Sequence, residues 1–335
     1  MKNITKKWNS PDMKYIFPWL LFIISFTLML IQNHGNFGQR TSESLNWLII
    51  FGTPYLLFAM GAGLVLSTGG VDVSFVGVSA LSGVLSAATF GLTNSIFLST
   101  LSGLFFGIIS GIIVGLLISK RFAPSLLVTW AIGMIWFTIS VVISKHIKID
   151  NVTTSVSGIE LINFPKFINY PFTIALFLFI LIQTLNYSGL TKKTRAIGAN
   201  RDSAIYAGVN VTKTEFLVYI INSLLASIAG IFWMTVLDRA QTEPFIGQEI
   251  IGIAIAVLGG TVMSGGYLNL FSIVASTFFY ITLEKLTKSV NIGIADEQHW
   301  VSIALAFVFL LVTLFFGKKI NGTTTPVHID RNTQN

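Results

Sequence analysis

Few side chains in this sequence have a type and spacing suited to chemistry. Asp72 stands out in the stretch Ser67-Thr68-Gly69-Gly70-Val71-Asp72-Val73-Ser74, because it is an ionisable group at the edge of a long apolar run. On insertion scales an ionised group at the centre of a bilayer costs about 2.5–3.5 kcal/mol. Asp72 is therefore expected either to cap a helix by accepting from free backbone N–H groups or to contact a solute. Glu249 and Glu284 are the other acidic residues near apolar runs, too few for the relays that proton-coupled carriers keep inside their spans. The four His residues, His34, His146, His299 and His328, are scattered through polar connections and span ends, and cysteine is absent. Disulfides, thiolate metal sites and cysteine nucleophiles are thereby excluded. No H-E-x-x-H, G-x-S-x-G or G-x-x-x-x-G-K-(S/T) pattern occurs, so neither hydrolysis nor nucleotide binding has a recognisable centre here.

Two further patterns concern contact more than reaction. In the polar stretch from Arg195 to Val211, Asn200 or Asp202 can cap a helix of about one turn over Ser203 to Ala207, and Gly208 suits the left-handed residue that ends it. Such an element is either a docking helix or an ordinary connection. Gly103, Gly107, Gly111 and Gly115 recur every four residues on one predicted helix face, where another backbone can approach closely. The partner is either an internal helix or a second subunit.

The elements that carry these residues are set by composition. Only 10% of residues are charged and 53% are hydrophobic, with 29 Gly and 28 Phe, whereas a soluble domain carries about 25% charged residues. Most of the chain must face lipid or other apolar helices. A crossing needs about 20 residues, which predicts an all-α polytopic protein with ten spans near 16–32, 45–66, 71–91, 95–118, 124–143, 171–187, 215–237, 249–262, 267–285 and 300–317. The run at 249–262 is short enough to be re-entrant. Ile16 to Ile31 follows a basic start but no A-x-A cleavage pattern follows it, so an uncleaved first span is expected. With the N-terminus inside, Lys2, Lys6, Lys7, Lys14, Lys120, Arg121, Lys192, Lys193, Arg195, Arg201, Lys213, Lys318, Lys319 and Arg331 are cytoplasmic, fourteen of the 21 basic residues. That bias places both termini in the cytoplasm, residues 144–170 outside and residues 188–214 inside. The net charge of +7 is thus a topological signal rather than a nucleic-acid footprint. Spans 2–5 and 7–10 run in opposite senses, and the pairs Gly69-Gly70 and Gly259-Gly260 suggest an inverted repeat.

Three stretches together resemble the permeases of ATP-binding-cassette importers for ribose, xylose, other monosaccharides and the furanose-like autoinducer-2. Gly69 to Ser74 is similar to that family's G-G-(I/V)-D-(L/I/V)-S. Ala196, Gly198, Asn200, Ser203, Ala204, Gly208, Val209, Asn210 and Val211 match its cytoplasmic loop. Gly247 to Thr261, followed by Ser264-Gly265-Gly266, matches its G-x-E-L-x-x-I-A-A-x-x-x-G-G-T run. Departures are Phe75 and Val76 before Gly77, Tyr267-Leu268-Asn269 after the last Gly pair, and Ser203 in place of Ala.

The resemblance implies a single permease domain over 1–335 in the cell (inner) membrane, importing a monosaccharide or sugar-like solute. It implies a second permease chain, the same or related, two cytoplasmic ATPase subunits that hold ATP and Mg, and an extracytoplasmic solute-binding protein. The chain itself would be neither an enzyme nor a cofactor carrier. Gly198, Asn200, Asp202, Ser203, Ala204 and Gly208 would form the coupling helix that sits in the ATPase. Gly69, Gly70, Asp72, Ser74, Thr129, Asn222, Glu249, Gly259 and Gly260 would belong to the translocation path or its structural motifs. For a neutral solute Trp130 and Trp233 join that set. Alternative readings are an autoinducer-2 or nucleoside permease of the same class, an ion-coupled secondary carrier, and an intramembrane enzyme or purely structural component.

Overall fold

The computed structural model describes residues 11–32, 37–120, 123–146, 152–155, 158–161, 171–237, 239–240, 247–289 and 307. In chain order the elements are α1 (Pro11–Gln32), α2 (Phe37–Ser67), α3 (Phe75–Thr93), α4 (Ile96–Ser119), α5 (Ser125–His146), β1 (Val152–Ser155), β2 (Gly158–Leu161), α6 (Pro171–Tyr187), α7 (Leu190–Ala199), α8 (Arg201–Tyr206), α9 (Val211–Leu237), β3 (Arg239–Ala240), α10 (Gln248–Leu258) and α11 (Leu270–Ser289). Helices cover the predicted spans from 16–32 to 267–285, and the predicted span 300–317 lies outside the described residues.

Among the described residues, α2, α3, α4, α5 and α9 are long and apolar enough to cross a membrane. A sixth crossing results if α6 and α7, bent by 55° about Ser188–Gly189, are counted together. The 249–262 segment is not a full crossing helix: α10 has 11 residues, about 16 Å at 1.5 Å per residue, against a core of about 30 Å. Its helix ends at Gly259, and Gly260 takes φ +88°, which turns the chain. A small sheet accompanies the all-α bundle. Residues 144–170 contain β1 and β2, paired antiparallel from Val152 opposite Leu161 to Ser155 opposite Gly158, and β3 adds Arg239 and Ala240 to β2.

The core runs along α2, whose residues 52–67 are all buried, and continues into α3 and α9. Glycine sets how closely these helices pack. The α4 glycines face α9 in antiparallel order, Gly103 against Ile231, Gly107 against Ser227, Gly111 against Ile220 and Gly115 against Phe216. A methyl group on Gly111 would come within 2.6 Å of Ile220 Cα. The seam is therefore internal, and Ser227 Oγ donates to Gly103 O across it at 2.7 Å. Exposed Phe97, Leu101, Phe105 and Leu116 cover the other face of α4, as a lipid-facing surface requires.

Candidate functional site

The glycine-aspartate stretch is held as irregular backbone inside the helical bundle. After Ser67 the chain turns through Thr68 and Gly69, the latter at φ +84°, and residues 70–73 are non-helical before α3 begins at Phe75. Non-helical backbone at membrane depth is tolerated only where its polar groups find partners in the protein. Here α5 supplies them: Val71 N–H donates to Ser125 Oγ at 3.1 Å and Val73 N–H to Thr129 Oγ1 at 3.2 Å. The spacing is matched. Four residues of helix advance about 6 Å and two residues of extended chain advance about 6.6 Å, so hydroxyls at i and i+4 meet amides at i and i+2. Gly133, one further turn along α5, lies against Ser74 and Gly77; a Cβ on Gly77 would be 2.1 Å from Gly133 O.

Asp72 is 2% exposed and has three hydrogen bonds. One carboxylate oxygen accepts from the Ser74 N–H and from Ser74 Oγ, both at 2.7 Å. The other accepts from Asn222 Nδ2 of α9 at 2.8 Å. The carboxylate thus fixes Ser74, the residue before α3, and ties it to α9 without accepting from the free N–H groups of the helix itself. Asn222 fits because Gly61 leaves space: a methyl there would fall 2.0 Å from Asn222 Oδ1. Ser74 and Thr129 are fully buried, and Thr129 also donates to Leu126 O at 3.3 Å.

Residues 188–214 fold as two short helices where one turn of helix was predicted. α7 buries Leu190, Thr191, Thr194 and Ile197, a helical spacing. Asn200 caps α8 through its Oδ1, which accepts from Ser203 N–H at 2.8 Å; Asp202 and Ser203 stay exposed and Ala204 is buried. Gly208, at φ +82°, has no atom within 4 Å of where a Cβ would lie. Tyr206 is 91% exposed and Ile205 half so. Sequence reasoning passed over this apolar tip, whose only signal was an apolar pair inside a polar loop.

The two motifs meet. Gly266 N–H donates to Ser67 O at 3.0 Å, and Gly198 lies against Ser67 O, Gly265 and Gly266 so closely that a methyl would come within 2.1 Å of Ser67 O. Arg195 donates to Leu268 O. Arg201 forms a bidentate ion pair with Glu215 of α9, one arm at 3.1 Å. One end of the bundle thus gathers the α2–α3 link, α7, α8 and the loop between α10 and α11, while β3 lies at the opposite end of α9. Gly259 is packed on Ile273, which also lies near Gly63 of α2. Gly69-Gly70 thus lies close to the loop that follows Gly259-Gly260. Asn269, at a departure from the family pattern, accepts at its Oδ1 from Phe271 N–H at 3.0 Å and starts α11.

The remaining predicted residues are not gathered here. Glu249 is half-buried in the first turn of α10, Trp130 is exposed on α5, and Trp233 meets Tyr55 edge-on at 5.7 Å. Among the described residues no group of His, Asp and Glu could hold a metal ion.

Among the described residues, at least five long apolar helices, α2 buried among them, define a polytopic helical membrane protein. The same fold occurs in a chain of a metal-chelate type ABC transporter solved in an inward-facing conformation, with TM-score 0.55, 15% identity, and coverage of 91% of this chain and 99% of that one. Residues 44–316 match the profile of the family described as branched-chain amino acid transport system / permease component, and the chain belongs to that family. Relatives include the L-arabinose transport system permease protein AraH of Escherichia coli (strain K12), 30% identical over 71% of this chain and 72% of that protein. The ribose import permease protein RbsC of the same organism is 27% identical over 94% of this chain and 96% of that protein. RbsC of Bacillus subtilis (strain 168) is 29% identical over 78% and 81%.

Proposed function

We propose that this chain is the membrane-spanning permease subunit of an ATP-driven importer for a monosaccharide or similar neutral polyol, in the cell (inner) membrane. The observation that carries the reading is the set of relatives, which are permeases for arabinose and ribose over 71% to 94% of the chain. The family description points to branched-chain amino acids, but a zwitterion calls for fixed counter-charges. The buried charge of the motif, Asp72, already has its hydrogen bonds taken up within the protein, which favours a neutral solute.

In this reading the chain forms ten spans, the eighth completed by α10 together with the non-helical segment after it, with both termini in the cytoplasm, and it pairs with the same or a related permease. ATP and Mg belong to two separate cytoplasmic ATPase subunits, since the sequence has no phosphate-binding loop, and an extracytoplasmic binding protein delivers the solute. Residues 188–214 are the coupling segment, with α8 and its exposed Ile205 and Tyr206 set into the ATPase. Gly198, Asn200, Asp202, Ser203, Ala204 and Gly208 shape that segment. Its displacement reaches α9 through the Arg201–Glu215 pair and reaches α2 and α11 through the backbone contacts of Gly198. The Asp72–Asn222 and Thr129 bonds then move the start of α3 with α9 and α5.

The experiment is uptake of labelled L-arabinose, D-ribose, D-allose and D-fructose by cells with and without the chain, together with co-purification of an ATPase. Sugar uptake that requires the chain and a retained ATPase is the expected result. Chain-dependent uptake of leucine or isoleucine and of none of the sugars would replace the solute class.

A further inference from the structure

Between α8 and the α2–α3 link the protein keeps a cavity of about 270 Å³ that the coupling role does not require. Its wall draws on Thr68, Gly70, Ser125, Arg201, Glu215 and Tyr219, supplied by the α2–α3 link, α5, α8 and α9. This wall is mixed, with polar groups beside Ile118, Ala123 and Ile197, which suits water or a polar solute that also has C–H faces. At about 30 Å³ per water molecule the space equals that of about nine waters, enough for a five- or six-carbon sugar.

The chemistry of the wall selects among small polar solutes. Arg201 and Glu215 are paired with each other by two hydrogen bonds, so the charged groups of the wall cancel and none is left over for an anion or a cation. The rest is hydroxyl, bare backbone and the aliphatic side chains of Ile118, Ala123 and Ile197. Thr68 gives its hydrogen to Val65 O at 2.7 Å and keeps its oxygen as an acceptor, while Ser125 accepts from Val71 N–H. Gly69 and Gly70 present main chain with no side chain in front of it. A methyl group on Gly70 would come within 2.7 Å of Tyr219 Oη, so the wall keeps its shape only with glycine there.

We propose that this cavity is a binding site for a neutral monosaccharide, entered from the end that carries α7 and α8. The proposal rests on the sugar-importer reading and adds a second solute site on the face where sugar is released. Ile197 of α7 and Arg201 of α8 form part of the wall, so a bound sugar braces both helices against the α2–α3 link and opposes their displacement. Accumulated solute thereby slows its own import. A phosphorylated sugar is disfavoured, because among the described residues of the wall the cation, Arg201, is paired with Glu215.

The test uses the intact permease–ATPase complex without binding protein, with labelled D-ribose and L-arabinose as probes and ribose 5-phosphate as competitor. Ile118→Phe fills the cavity from α4 without altering a polar group of the wall, and Thr68→Val, which removes one wall oxygen, serves if the first variant does not insert. Saturable sugar binding is expected, weakened by roughly tenfold or more in the variant and unaffected by ribose 5-phosphate. In proteoliposomes, sugar loaded on the ATPase side should slow wild-type uptake and leave the variant unaffected. ATP-driven uptake with no saturable binding, or equal binding by wild type and variant, overturns this site and leaves the importer reading standing. Absence of any ATP-driven sugar uptake overturns the importer reading and this site with it.

Discussion

Replacing Thr129 by Val isolates one of the two hydroxyls that hold the extended segment inside the bundle. The two side chains are close in shape, so the main loss is the acceptor of the Val73 N–H, now 3.2 Å from Thr129 Oγ1. The lost donation to Leu126 O matters less, because that carbonyl belongs to the same helix. A buried amide left without a partner costs about 1–3 kcal/mol. For a protein of this size that corresponds to a fall in melting temperature of about 1–4 °C. The assay is thermal unfolding of the purified protein in detergent. Thr138→Val is the internal control: its hydroxyl is exposed on the same helix and bonds only Met134 O at 2.7 Å, so its change should stay within about 0.5 kcal/mol. If Thr129→Val and Ser125→Ala both melt with the Thr138 control, the extended segment is not held by α5 and the account of the buried link is wrong.

Three further outcomes follow from the same geometry. Asp72→Asn should place donor against donor at Asn222 and Asn222→Asp carboxylate against carboxylate, each lowering folded yield, whereas the exchanged pair should recover yield by restoring one donor and one acceptor, as read by size-exclusion chromatography. Gly111→Ala must push against Ile220 Cα from 2.6 Å and should destabilise by about 1–3 kcal/mol, while Gly38→Ala, with nothing within 4 Å, should leave melting unchanged or raise it. Gly208→Val forces a β-branched residue into φ +82° at a surface position, so it should abolish ATPase co-purification while leaving the melting temperature of the permease alone within 2 °C or so of wild type.

What the sequence made legible was local. Apolar length located α6 at 171–187 and placed most other helices within a few residues, because hydropathy depends on nothing beyond the segment itself. α10 stops four residues short of the predicted 249–262 run because the glycines at 259 and 260 end the helix. β1 and β2 were missed because Val152 to Ser155 is too short and polar to stand out from its loop. The cap at Asn200 and the turn at Gly208 were readable from residue type. The links that make the site were not: Val71 meets Ser125 across 54 residues and Asp72 meets Asn222 across 150, and no local periodicity records such pairs. The internal partner of the α4 glycines left a faint trace in Ser223 and Ser227, spaced like the glycines they face.

Uptake in proteoliposomes carrying the permease, its ATPase and the binding protein tests the central claim most directly, with ATP on the ATPase side and ionophores collapsing every ion gradient. Accumulation of labelled sugar that needs ATP and survives the ionophores is the predicted result. Accumulation that proceeds without ATP and vanishes when the gradients are collapsed would contradict the assignment and make the chain a secondary carrier.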